Sequence, residues 1–184
     1  MIFIVYFSFL AAAFCLWLAF IGAFKSVDFK KEELTFQKIA FFSFKGNYSS
    51  FLRSTIKTRR KCADVMDKVP IPFVGCFHDN PATTPRGQRR FDIGVIVDDC
   101  DDEQLKKLQD LGFVIKKLRG GEHCIAQLTL RSYLGSIINI IKAYKEYSTI
   151  DTDRIDKDGS VIEVYNIRDH THTFVFPVDT PIFE

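Results

Sequence analysis

No charged side chain occurs in the first 24 residues, and Ser8 is their one clearly polar group. That absence excludes an ordinary surface helix. As a helix rising about 1.5 Å per residue, residues 2 to 24 reach about 35 Å, enough to cross a hydrocarbon core of roughly 30 Å with some tilt. Basic residues are also missing ahead of this run, and Gly22-Ala23-Phe24 is a poor small-x-small site, so a cleaved signal peptide is disfavoured against a retained anchor. Lys25, Lys30, Lys31 and Lys38 all follow the span, which predicts that the rest of the chain faces the cytosol.

The sequence lacks any CxxC pair and any Cys/His cluster at zinc-finger spacing, so no structural metal and no cofactor is expected. Cys62, Cys76, Cys100 and Cys124 lie beyond the span and read as reduced thiols, three of them in core packing. A net charge of +2 over 184 residues is too small for direct sequence-specific nucleic-acid binding. Lys25, Lys30 and Lys31 are instead placed to meet anionic lipid headgroups.

What is present divides into a membrane anchor at 1–24, a charged spacer at 25–32 and one α+β domain at 33–184. Residues 33–45 (ELTFQKIAFFSFK) read as a strand with a register break near Gln37-Lys38. A helix follows, its apolar positions Phe51, Leu52, Ile56, Ala63 and Met66 recurring at three to five residues. Val69-Pro70-Ile71-Pro72 ends it, and FVGCF with RFDIGVIV forms a hairpin around a long polar turn. There Asp79, Asn80, Pro81 and Pro85 suit turn chemistry. Arg86, Arg89 and Arg90 leave the turn as a possible rim for a partner or a cleft.

The order then repeats. EHCIAQLTLR alternates, Ile137, Ile138, Ile141 and Tyr144 recur at helical spacing, and VIEVYNI with HTFVFPV closes a second hairpin. A shift of about 86 residues superimposes the halves, so the domain is two strand-helix-strand-strand units, about 33–98 and 122–179, packed about a pseudo-twofold axis. Either unit alone would bury too little apolar surface to fold. A linker helix is expected at about 101–111, capped by Asp101 or Asp102 and ended by Gly112.

The duplicated unit, Phe77-His78-Asp79-Asn80-Pro81 before the long turn, Arg90-Phe91-Asp92-Ile93-Gly94 after it and Glu163-Val164-Tyr165 in the penultimate strand together resemble the gyrase-inhibitor-like (GyrI-like) domain. With the apolar span directly ahead and Leu111-Gly112-Phe113 before the second repeat, the whole chain resembles the testis-expressed endoplasmic-reticulum (ER)-phagy receptor family. The resemblance implies a single-pass protein of the ER and inner nuclear membrane. It implies a role as adaptor in ER-phagy, membrane-linked protein quality control or DNA-protein crosslink repair, with Atg8-type proteins and the ubiquitin-selective AAA segregase as partners. In that family the Atg8-binding motif lies in an acidic tail after the domain, whereas this sequence ends at Pro181-Ile182-Phe183-Glu184. Substitute docking motifs, an aromatic followed three residues later by an aliphatic, occur at Phe36 to Ile39 and at Tyr147 to Ile150.

Strand alternation puts Glu163 and Tyr165 on one face, and the repeat alignment matches them to Gly75 and Phe77. One half would thus supply a carboxylate where the other supplies empty space. GyrI-like domains bind lipophilic cations in a central cleft, and some relatives hydrolyse small electrophiles there; the resemblance gives Glu163 the ligand-facing role. A partly desolvated carboxylate favours a cationic partner or proton transfer. No residue is assigned to catalysis, and the chain is expected not to be an enzyme, with a hydrolase using Glu163 as the alternative. His170-Thr171-His172 lacks a third ligand nearby and reads as solvated turn histidines.

Overall fold

In the computed structural model the described residues are 2–66, 72–79, 83–150, 160–178 and 182–183. Asn80, Pro81 and the break at Val69-Pro70-Ile71 lie outside them. Helix α1 covers Ile2–Phe20, and its window Phe3–Phe20 has mean hydropathy 2.3 with no residue buried, long and apolar enough to cross a membrane. The chain continues through β1 (Lys30–Glu33), β2 (Lys38–Lys45), a 3-10 turn at Tyr48–Ser50, α2 (Phe51–Ala63), β3 (Phe73–Phe77) and β4 (Arg90–Ile96). It then forms α3 (Asp102–Asp110), β5 (Val114–Lys117), β6 (Glu122–Thr129), α4 (Tyr133–Thr149), β7 (Val161–Asn166) and β8 (Thr171–Phe176). The eight strands make one antiparallel sheet in the order β1-β6-β8-β7-β3-β4-β2-β5. The order is a palindrome of the two units: β7 and β3 meet at the centre, and each unit ends in a borrowed edge strand.

The expected strand over 33–45 is β2 from Lys38 onward, and the expected spacer instead contains a strand, β1, toward the opposite end of the sheet. β1 pairs with β6 of the second unit, whereas β2 pairs with β4 and β5 of the first. The chain is broken at Leu34 to Gln37, where the Asp98 carboxylate accepts hydrogen bonds from the backbone N–H groups of Gln37 and Lys38. Phe36, turned inward here, joins Ile39, Val74, Ile162 and Ile182 in a core on the outer face of the sheet. β5 was not anticipated, since VIKK is too short and too charged to declare itself.

Helix α3 starts with a capping box, Asp101 accepting from Gln104 N–H and the Gln104 side chain accepting from Asp101 N–H, and Gly112 follows it with φ 90°.

Both long helices lie on the face opposite that core, turned in a way their apolar spacing does not suggest. α2 buries Thr55, Thr58 and Cys62 and leaves Leu52 and Ile56 about half exposed. α4 buries Gly135, Ser136, Asn139 and Ala143 and leaves Ile141 exposed. Small side chains let each helix lie close on the sheet, while the apolar rows turn toward the space between the helices.

The end of α1 is seated on the start of α4. Ile21 is fully buried, and a Cβ on Gly135 would lie 3.5 Å from its carbonyl oxygen. The Lys142 ammonium donates to the Gly22 carbonyl at 3.1 Å and also to that of Lys25. The Arg131 guanidinium sits 4.3 Å over the Phe20 ring.

Candidate functional site: an acidic aromatic cleft between the helices

The space between α2 and α4 is a cleft of about 680 Å³ whose floor is the central pair of strands. β3 and β7 place Gly75 directly opposite Glu163 and Phe73 opposite Tyr165. The pseudo-twofold therefore passes through the Gly75–Glu163 pair, and the two halves can be compared residue by residue. In the first half the expected empty space is filled: a Cβ on Gly75 would lie 2.8 Å from the Phe51 ring, so that ring rests on the glycine. In the second half the equivalent room holds the Glu163 carboxylate.

Glu163 is 2% exposed. The Tyr165 hydroxyl donates to Oε2 and the Tyr144 hydroxyl approaches Oε1 at 3.4 Å. The Tyr165 ring is itself clamped between Phe73 at 4.5 Å and His172 at 4.2 Å. His172 Nε2 stands 3.5 Å from Glu163 Oε2, and among the described residues neither of its ring nitrogens makes a hydrogen bond. Burial, reinforced by the adjacent Glu163 charge, raises the Tyr144 and Tyr165 phenols well above the ordinary tyrosine range, so both stay protonated donors. Among the described residues no lysine or arginine forms an ion pair with Glu163.

Among the described residues the charged ones lining the cleft are Glu163 and Asp79, both acidic, and its walls are chiefly aromatic and aliphatic. Asp79 marks the mouth. Arg90 binds it with Nη2 2.8 Å from Oδ1, and this side-chain hydrogen bond holds the Asp79 carboxyl below its usual range. The Tyr48 hydroxyl donates to the Asp79 carbonyl at 2.8 Å, and the phenol is pushed up to about 12 by burial and by the Asp79 charge. Arg89 donates to the Thr84 carbonyl and lies 5.4 Å over the Tyr48 ring. Two of the three turn arginines thus hold the rim, while Arg86 is exposed on the turn.

The structure brings Glu163, Tyr165 and Phe77 together on the cleft and closes Gly75 off beneath Phe51. It removes Phe36 and Ile39 from any docking role as folded, because both are buried in the outer-face core. Tyr147 stacks on Phe176 at 3.8 Å and, with Ile150, forms part of the cleft wall. His172 corrects the solvated-turn reading: it is completely buried in β8 beside Glu163, and only His170, with φ 53°, occupies the turn. The alternation His172, Phe174, Phe176 carries the signal that would have placed it. Tyr144 and Phe51, members of the apolar rows of α4 and α2, line the cleft.

No protein-family model and no curated protein matches the chain. Solved structures do. The structure of SAV2435 bound to tetraphenylphosphonium aligns with TM-score 0.55 and 10% identity over 82% of this chain and 93% of that one. A putative bacterial transcription regulation protein from Staphylococcus aureus MU50 aligns with TM-score 0.54 and 9% identity over 84% and 100%. The integron cassette protein VCH_CASS2 of Vibrio cholerae aligns with TM-score 0.50 and 13% identity over 84% and 96%. At such identities the likeness is one of fold, and the fold is GyrI-like: two strand-helix-strand-strand units sharing a sheet behind an N-terminal apolar helix.

Proposed function

We propose that the chain is a membrane-anchored binding protein for lipophilic organic cations, with Glu163 as the counter-charge at the cleft floor. The observation that carries this is a buried carboxylate, without a lysine or arginine ion pair among the described residues, beneath an aromatic cleft whose charged lining residues, among those described, are all acidic. A diffuse cation gains from the aromatic faces and from a carboxylate already stripped of water, and it forfeits little hydration of its own. Tetraphenylphosphonium, the ligand of SAV2435, is of this kind. The seating of α1 on α4 supports the same reading, because one cleft wall is then tied to the helix that enters the bilayer, where such cations concentrate. In the full chain in lipid nanodiscs, Glu163→Gln is expected to weaken tetraphenylphosphonium binding at least tenfold while circular dichroism stays unchanged. Wild-type affinity in that variant would remove Glu163 from the site.

The resemblance to the ER-phagy receptors supports a second reading. The anchor lies in the ER membrane, the domain faces the cytosol, and the chain acts as an adaptor for Atg8-family proteins and the AAA segregase. What favours it is the order of the parts: one apolar helix, Lys25, Lys30 and Lys31, then at once a GyrI-like unit. Asn47 of the sequon Asn47-Tyr48-Ser49 is exposed, so it reports orientation. A cytosolic domain predicts no endoglycosidase-sensitive shift, and co-precipitation with the two partners tests the role.

A further inference from the structure

We infer that Cys76, His78 and Asp92 form a binding site for one divalent metal ion of the zinc class on the outer face of the sheet. The sequence excludes zinc-finger spacing, but donors can be gathered by strand geometry instead of local spacing. Cys76 and His78 are two residues apart on and just beyond β3, so they share a face. Asp92 on β4 is the register partner of Cys76. Ser160, immediately before β7, reaches the same point from the other side of β3. Three neighbouring strands therefore deliver a thiol, an imidazole, a carboxylate and a hydroxyl to one spot. Gly75 and Phe77 face the opposite way into the cleft, so the two sites are separated by the sheet.

The distances suit a metal. One ligand atom from each of Cys76, His78 and Asp92 lies within 4.8 Å of the others. The thiol sulfur is 3.9 Å from His78 Nδ1, close to the roughly 3.6 Å that bonds of about 2.3 and 2.1 Å subtend at a tetrahedral zinc. His78 Nε2 meets Asp92 Oδ2 at 2.7 Å and Nδ1 meets Ser160 Oγ at 2.8 Å. The sulfur lies by Nδ1, so Nδ1 is the ligand nitrogen with Ser160 Oγ beside it, and Asp92 stands behind the ring as the carboxylate that holds Nε2–H and fixes the tautomer.

Burial is graded in the way a loadable site requires: Cys76 and Asp92 are 3% and 4% exposed, while the His78 side chain keeps 19% of its surface. A buried carboxylate also needs a positive partner. Among the described residues Asp92 makes an ion pair with no lysine or arginine, only with His78. Soft thiolate and imidazole donors, with a carboxylate behind the imidazole, select zinc-like ions over magnesium or calcium. Ser160, His78 and Asp92 also have the connectivity of a nucleophile relay, but the cleft lining among the described residues does not include Ser160.

The test uses the full chain in nanodiscs, stripped with chelator and titrated with cobalt(II). The site predicts one equivalent bound, with a near-ultraviolet thiolate-to-cobalt charge-transfer band and tetrahedral visible bands, both erased by zinc. Cys76→Ser should remove the charge-transfer band. His78→Gln, which can still donate to the buried Asp92 carboxylate, should weaken zinc binding at least tenfold with tetraphenylphosphonium binding unaltered. A titration without a stoichiometric band, or a band that survives in both variants and so belongs to another cysteine such as Cys100, overturns the assignment.

Discussion

The two halves of the domain start from the same plan and end differently at one point. At the pseudo-twofold, the first unit has Gly75 under the Phe51 ring and the second has Glu163 under two tyrosine hydroxyls. Duplication supplies a symmetric scaffold whose centre is a cleft between like helices. Function enters by breaking the symmetry where the axis passes. One half becomes an apolar plug that sets the depth of the cleft, and the other becomes its charge.

Each side of this comparison can be altered separately. The largest effect should follow from Phe51→Ala, which removes a ring in contact with Phe73, Phe77, Phe91 and Tyr165. For this partly buried position a loss of about 2–3 kcal/mol is expected, read by denaturant unfolding, together with a deeper cleft that accepts bulkier cations. Gly75→Ala tests the same plug from below. The added methyl must displace the ring at a cost of about 1–2 kcal/mol, and an unchanged unfolding midpoint would show that Phe51 does not rest on the glycine.

The charged half has a pH signature. Tyr144 and Tyr165 have folded pKa values raised above their unfolded value of about 10. Below that value both states hold the phenolic protons and stability is complete. Above it the unfolded chain loses them first, so stability falls as pH rises. Melting temperature should therefore drop beyond about pH 10, and less steeply in Tyr144→Phe. The smallest effect belongs to the rim: Asp79→Asn breaks the exposed pair with Arg90 and should leave the fold nearly as stable. It should lower the on-rate of a cation at low salt, with the difference vanishing at high salt. An on-rate indifferent to the substitution would take the rim out of ligand capture.

Much of the fold was legible because repeats constrain one another. The duplicated order of apolar alternation and helical spacing fixed the unit, its pairing about a twofold, and the match of Glu163 with Gly75. The edges were not legible. β1 and β5 owe their pairing to the opposite unit or to the linker, and four-residue strands such as KKEE and VIKK carry no periodic signal. Helix faces were not legible for a related reason. Apolar spacing shows that a stripe exists but not whether it meets the sheet or a cleft, and here the small Ala143 meets the sheet. His172 was lost because adjacency to a turn outweighed its alternation with Phe174 and Phe176. The outer-face cluster was invisible because Cys76 and Asp92 meet only through strand register.

The most direct measurement is isothermal titration of the full wild-type chain in nanodiscs with tetraphenylphosphonium, corrected for partitioning into empty discs. A saturable single site that Glu163→Gln abolishes is the predicted result. A wild-type isotherm no different from that of empty discs would contradict the cleft as a cation site.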